Sequence, residues 1–290
     1  MARSLLFTPG DAPAKMRKAA TSGADAVILD LEDSVAPAAK PLARDQIALF
    51  LAESRQSRPV QLWVRINPLS TGLALEDLAK VVAGAPDGIV LPKAEGARDV
   101  RRLSDYLAAL EIREGLAPGA IRILPIATET PRALFKLGTY EEAGDRLAGL
   151  TWGAEDLPTA VGASANRTQQ GQLTDLCRLA RTLCLAGAAS AEVPAIETVY
   201  PAFADLDGLR LYAEQGRREG FSGMMAIHPN QVKVINQAFS PSADEIARAK
   251  RIVEAFASAP NAGVLVLDGA MVDAPHLKQA QRLLAESGHL

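Results

Sequence analysis

The chain has 290 residues, 48% of them hydrophobic and 22% charged. That is the balance of a folded globular protein long enough to bury a full core, and it excludes disordered and fibrous classes. Lys and Arg total 31 against 34 Asp and Glu, a formal net charge of −3. With no basic run that could track a phosphate backbone, nucleic acid is not an expected partner. The opening MARSLLFTPGD has too short an apolar run for a signal peptide before it meets Pro9, Gly10 and Asp11. No stretch approaches the ~20 apolar residues of a membrane span, so a cytoplasmic protein without a membrane partner is expected.

In chain order, short apolar, β-branched runs closed by polar residues recur as SLLFTP, AVILDLED, QLWVRIN, GIVLPKAE, IRILPIATE, GLTWGAEDL, VPAIETVYP and GMMAIHP. Amphipathic, helix-length segments lie between them, among them PAKMRKAATSGA, AKPLARDQIALFLAESR, ARDVRRLSDYLAALEIREG, GQLTDLCRLARTLCLAGAA and GLRLYAEQGRREG. Eight strand–helix units predict parallel strands closed into a (β/α)8 barrel over residues 1–238, with an open doubly wound sheet as the alternative. Residues 239–290 are surplus to a barrel. They read as a helix opened by Ser240 and Pro241, a hairpin turning at Asp268 and Gly269, and a terminal helix. Cys177 and Cys184 lie two helical turns apart, about 10 Å, which predicts core thiols rather than a disulfide.

Active sites of barrels form at the C-terminal ends of the strands, and here those ends are polar. Strand two closes on Asp30, Glu32 and Asp33, strand three on Arg65 and Asn67, and strand four on Lys93. Strand five closes on Glu129, strand six on Glu155 and Asp156, and strand eight on His228. The excess of carboxylates predicts a hard divalent cation, and Mg2+ typically takes one or two carboxylates plus waters and substrate oxygens. Glu129 and Asp156, on adjacent strands, are the best direct ligands; for Asp156 the competing role is a helix N-cap before Leu157 and Pro158. Histidines number three, His228, His276 and His289, too scattered for a zinc site. Arg65 needs carboxylates to offset its desolvation, and Glu32 and Asp33 can supply them, either as a structural pair or around an anion clamp. Lys93 is a weak candidate for a Schiff base against pairing with the acidic cluster. His228 before Pro229 reads first as a packed strand-to-turn corner. No G-x-S-x-G elbow, phosphate loop or dinucleotide fingerprint is present.

At these residues the sequence resembles the citrate lyase β-subunit-like branch of the HpcH/HpaI aldolase superfamily. The likeness runs in order through RSLLFTPG (3–10), GADAVILDLEDSV (23–35), Lys40 with Arg44, VRIN (64–67), GIVLPKAE (88–95), Glu129, GAEDL (153–157), GFSGMMAIHPNQV (220–232), FSPSADEIARAKRIV (239–253) and GAMVDAPHLKQAQ (269–281). The last segment is similar to that of malyl- and citramalyl-CoA cleaving enzymes. The resemblance implies a trimeric or hexameric barrel that uses Mg2+ to cleave a β-hydroxyacyl-CoA into an acyl-CoA and an α-keto acid, or to run the reverse condensation. It implies that Glu129 and Asp156 bind the metal, that Arg65 stabilises the thioester enolate with Glu32 and Asp33 holding it, and that Asp273 is the acid/base. The tail that carries Asp273 would pack on a neighbouring protomer. Locally, Asp273 before Pro275 reads equally well as an N-cap.

Asp30 and Lys93 are further candidates for substrate contacts, and Arg3 is one for the CoA phosphates, against a solvated terminal charge. Three departures from the family pattern bear on substrate choice. Glu197 stands in AIETVY where an aspartate is usual, Cys177 where a tyrosine is common, and Ser34 where a glycine is common. Alternatives to the lyase are a citrate lyase β subunit acting on a citryl thioester of an acyl-carrier partner, a free-pyruvate aldolase, and a thioesterase that releases CoA.

Overall fold

A computed structural model describes residues 2–55, 57–259 and 262–288, so His289 lies outside the described residues. The chain forms two compact units, Ala2–Asn236 and Gln237–Leu290.

In the first unit, eight parallel strands run β1 (Ser4–Pro9), β2 (Ala26–Asp30), β3 (Gln61–Arg65), β4 (Gly88–Leu91), β5 (Arg122–Pro125), β6 (Leu150–Thr151), β7 (Ala195–Glu197) and β8 (Gly223–Ala226). Their sheet order is β5-β4-β3-β2-β1-β8-β7-β6. Isolated parallel bridges, Ile123 to Leu147 and Ile126 to Thr151, close the seam between β5 and β6. The helices between the strands are α1 (Pro13–Ala20), α2 (Lys40–Glu53), α3 (Leu73–Val81), α4 (Ala97–Arg113), α5 (Pro131–Leu134), α6 (Asp156–Ala160), α7 (Asp175–Ser190), α8 (Leu206–Glu219) and α9 (Pro229–Ala238). This is the expected α/β barrel. Among the described residues no helix is long and apolar enough to cross a membrane.

Strand periodicity explains how the barrel fills and where its chemistry begins. Leu5, Ala26, Ile28, Trp63, Val90, Leu124, Ile126, Ile196 and Met225 form one buried cluster, with Phe7 packed against it. The alternate residues Leu6, Val27, Leu29, Leu62, Val64 and Ile89 are buried as well. Both faces being covered is what makes these strands read as continuous apolar runs. Stepping by two along β2 from Ala26 and Ile28 reaches Asp30, and along β3 from Trp63 reaches Arg65. The interior face therefore ends in an acid and a base on adjacent strands, paired in register. The same face needs Gly88: a Cβ there would lie 2.1 Å from the ring of Trp63, its partner across β3 and β4.

Several segments that read as long strands are short. β2 stops at Asp30 because that carboxylate accepts hydrogen bonds from the backbone N–H of Glu32 (2.9 Å) and Ser34 (3.0 Å), which turns the chain out of the sheet. After β6 the backbone leaves the sheet at Trp152 and enters α6 at Asp156. The helix α9 lies outside the helix-length segments that the sequence pattern picks out.

In the second unit α10 (Ala243–Ser258) begins at Ser242 with a capping box to Glu245. The hairpin of β9 (Val264–Leu267) and β10 (Ala270–Asp273) turns at Asp268 and Gly269, whose φ of 53° and 77° are those of a type I′ turn. α11 (Ala274–Glu286) follows, and Ala249, Ile252, Val272, Ala280 and Leu284 form the unit's core. Both cysteines are buried and free, as expected.

Overpacking a filled barrel interior costs about 1–3 kcal/mol. Gly88→Ala should therefore lower the free energy of unfolding by that order in denaturant titration. A loss below the error of the titration would mean that Trp63 moves freely.

Candidate functional site

Arg65 closes β3 and is 11% exposed. Its Nε donates to Asp30 Oδ1 and its Nη2 to Asp30 Oδ2, both at 2.7 Å, a two-point fork that fixes the guanidinium plane. Its Nη1 lies 3.0 Å from Glu32 Oε2 and 3.6 Å from Asp33 Oδ2, and Phe7 stacks beneath it at 4.8 Å. Burial favours the neutral forms, but the guanidinium and two backbone donors outweigh it and hold the Asp30 carboxyl below the usual carboxylate range. With both oxygens occupied and 1% exposed, Asp30 faces Arg65 rather than a substrate, a different task from the substrate contact read from its position in sequence.

Lys93 follows β4 in the left-handed region at φ 52°, a sparsely populated conformation for a residue with a side chain. The turn aims its backbone N–H at Glu129 Oε2 (2.6 Å) and its Nζ at Glu32 Oε1 (2.7 Å) and Asp156 Oδ1 (3.3 Å). Burial opposes the ammonium, but these carboxylates outweigh it and hold the pKa of Lys93 above that of a free lysine. A lysine kept charged is a poor Schiff-base nucleophile.

Three of the strand-end carboxylates therefore converge on Lys93. Glu129 is 4% exposed, and burial, aided by Asp156 and Glu32, pushes its carboxyl up to about 8. Burial also raises Glu32, whose Oε2 is buried without a hydrogen-bond partner. Asp156 is the first residue of α6 and Glu155 takes the N-cap position, so Asp156 is not the cap. Gly153 lets Glu129 lie flat, since a Cβ at 153 would sit 2.9 Å from Glu129 Cγ. Among the described residues no three His, Cys, Asp or Glu side chains form a ready-made metal cage. Two carboxylates, with Glu32 beside them, in an acidic pocket where carboxylates outnumber cations, fit a hard cation that keeps open positions for water and substrate.

Behind the site runs a buried polar network that sequence reading missed. Lys40 Nζ donates to the carbonyls of Leu31 (2.7 Å) and Glu32 (2.8 Å) and to Asn67 Oδ1 (2.8 Å). Asn67 Nδ2 donates to Asp77 Oδ2 (2.7 Å), and Arg44 Nε donates to Asp77 Oδ1 (2.6 Å). Lys40 thus ties the loop that carries Glu32 and Asp33 to the loop after β3. The only sequence signal was a lysine and an arginine one helical turn apart, with no partner named by local pattern.

Other expectations fall elsewhere. Arg3 precedes β1 and forks onto Asp25, which precedes β2 (Nε to Oδ2 2.8 Å, Nη2 to Oδ1 2.9 Å). In parallel strands both therefore lie at the end of the barrel opposite Arg65. This corrects Arg3 as a CoA-phosphate contact: it latches the strand entrances. His228 is exposed rather than packed, stacked on Phe203 with centroids 5.2 Å apart. Glu197 is fully buried among protein donors and does not floor an open pocket. Asp273 is the N-cap of α11, its Oδ1 2.5 Å from His276 Nδ1, a contact that lowers its pKa.

The raised carboxyl of Glu129 has a signed consequence for stability. Without a cation the folded protein keeps that proton at pH values where the unfolded chain has lost it. Stability therefore falls as pH rises from the usual carboxylate range through about 8. Glu129→Gln cannot ionise, so in EDTA its melting temperature should gain on that of the unsubstituted protein across this window. Parallel melting profiles would show Glu129 already ionised.

The pattern of the HpcH/HpaI aldolase/citrate lyase family matches residues 3–229. A (3S)-malyl-CoA thioesterase of Cereibacter sphaeroides is 33% identical over 288 residues, covering 98% of this chain and 94% of that protein. The mitochondrial citramalyl-CoA lyase of Mus musculus is 33% identical over 294 residues, covering 97% and 85%. The crystal structure of CitE from Mycobacterium tuberculosis in complex with magnesium, acetoacetate and coenzyme A superposes with a TM-score of 0.79 at 33% identity, covering 99% of this chain and 98% of that one. With the barrel, the acidic strand ends and a family match over most of its length, the chain belongs to the HpcH/HpaI aldolase/citrate lyase family.

Proposed function

We propose that this chain is a Mg2+-dependent carbon–carbon lyase. Its substrate would be a β-hydroxyacyl-CoA of the malyl-CoA or citramalyl-CoA type, cleaved into an acyl-CoA and an α-keto acid, or formed from them in reverse. The observation that carries this reading is the convergence of Glu129, Asp156 and Glu32 on Lys93, beside a permanently charged Arg65 at the end of the barrel interior. Glu129 and Asp156 would hold Mg2+, whose contribution when bound is to polarise the oxygens of the keto-acid half.

The chain's own residues account for the remainder. When the Cα–Cβ bond breaks, its electron pair moves into the thioester as an enolate while the hydroxyl passes its proton to Asp273, acting first as the base, and becomes the carbonyl of the α-keto acid. The Arg65 guanidinium, locked in plane by Asp30, meets the charge developing on the thioester oxygen without reorganising. Lys93, held charged, balances the carboxylates and orients the keto-acid carboxylate. A proton must then reach the enolate carbon, and Asp273 is assigned this role in an assembly of several copies, since its tail would serve a neighbouring protomer in a homotrimer or hexamer.

The relative that is a malyl-CoA thioesterase favours a second outcome, hydrolysis of the thioester with release of CoA. A citrate lyase β-type reaction on an acyl-carrier thioester would use the same residues.

Purified protein should cleave malyl-CoA or citramalyl-CoA with Mg2+ and not with EDTA, yielding acyl-CoA and keto acid, whereas free CoA would mark the thioesterase. Asp156→Asn should abolish turnover with the fold intact by circular dichroism. Asp273→Asn should slow turnover about 10²–10⁴-fold, as for a lost general acid or base, and leave Mg2+ binding unchanged. Full activity in both variants would sink the assignment.

A further inference from the structure

Glu197 ends β7 with no exposed surface, and it takes no part in the chemistry above. Four donors surround its carboxylate. Trp152 Nε1 (2.5 Å), the Thr198 N–H (2.9 Å) and the Tyr212 hydroxyl (3.1 Å) donate to Oε1, and Arg181 Nε (2.7 Å) donates to Oε2. Arg181 is itself paired with Glu219 on α8 and stacked on Phe221 at 4.7 Å. α8 passes close at Gly216, where a Cβ would lie 3.2 Å from Glu197 Oε2. The carboxylate is fixed from β7, α7 and α8 together.

Trp152 is the residue it holds, 1% exposed just past the end of β6. The residues that follow carry the site. Gly153 accepts no side chain because Glu129 Cγ occupies that space, its N–H donates to Thr128 Oγ1 (3.2 Å), and Asp156 opens α6 three residues later. β6 is only two residues long, so its own ladder is a weak anchor for this loop.

We propose that Glu197 is a positioning residue: through the Trp152 indole it fixes the strand end carrying Gly153 and Asp156 against Glu129, and so sets the spacing of the two carboxylates for a divalent cation. The inference rests on the metal reading given above. Partners that orient metal ligands typically change metal affinity by 10–100-fold when removed.

The test is Mn2+ binding to the full chain, titrated by electron paramagnetic resonance without substrate, alongside thermal melts. Trp152→Phe keeps a ring but deletes the N–H, and its Mn2+ dissociation constant should rise about tenfold or more. Glu197→Gln keeps an oxygen to accept the indole N–H but takes the charge from Arg181. It should melt earlier yet bind Mn2+ close to the unsubstituted affinity. A merely structural role would lower both melting temperatures and move neither affinity. Unchanged Mn2+ affinity in Trp152→Phe, with binding abolished in Glu129→Gln, overturns the positioning role and leaves the metal reading standing. No Mn2+ binding by the unsubstituted protein overturns both.

Discussion

The pair of Arg65 and Asp30 is the interaction on which the rest of the site depends. A guanidinium brought to the end of an apolar barrel loses most of its hydration, and only a carboxylate in fork geometry offsets that loss. Asp30 supplies the fork with both oxygens at 2.7 Å and uses the same oxygens to bind the N–H groups of Glu32 and Ser34. One side chain therefore fixes the cation, ends strand β2 and launches the acidic loop beside it. Phe7 completes the seat by stacking under Arg65. The remaining edge of Arg65 faces Glu32 and Asp33.

The two ends of the barrel use charge differently. At the strand entrances ions are matched and saturated. Arg3 forks onto Asp25, and Arg146 forks onto Glu111, whose oxygens also accept the N–H groups of Gly119 and Ile121. At the strand exits acids exceed the cations that face them, one buried oxygen of Glu32 meets Arg65 without a hydrogen bond, and Glu129 is driven toward its protonated form. Saturated pairs stabilise a scaffold. An acidic cluster short of positive charge is poorly settled until a cation joins it, and it is costly enough to mark a ligand position.

How much of this was legible in the sequence depends on range. The strands announced themselves as apolar runs because both of their faces are buried. Counting by twos from Trp63 places Arg65 on the interior face, and Asp268-Gly269 announced the hairpin through its turn chemistry. Arg3 was misplaced because its charge was weighed without its topology: a residue that precedes a barrel strand lies at the wrong end for catalysis. The network of Lys40, Asn67 and Asp77 and the bond from Trp152 to Glu197 join residues 10 to 45 positions apart. No local period encodes such contacts. The left-handed turn at Lys93 is invisible for a similar reason, since lysine gives no propensity signal for it and the carboxylates around it impose it.

Glu197 shows how a departure from a family pattern can mislead when read without its surroundings. In sequence it looked like a change to the pocket, and therefore to substrate choice. In the structure every polar atom of its side chain is engaged, by Trp152, Thr198, Tyr212 and Arg181, and none is left to touch a ligand. A longer acid here alters how the β6 strand end is held rather than what the pocket sees. Selectivity for the acyl group must then be sought where polar groups remain open at the mouth. Asp33 and its neighbour Ser34 lie on the loop after β2, and the Asp33 side chain is 62% exposed. That loop is also the one whose course Asp30 and Lys40 set, so the charges buried at the barrel's end also fix the frame of its mouth.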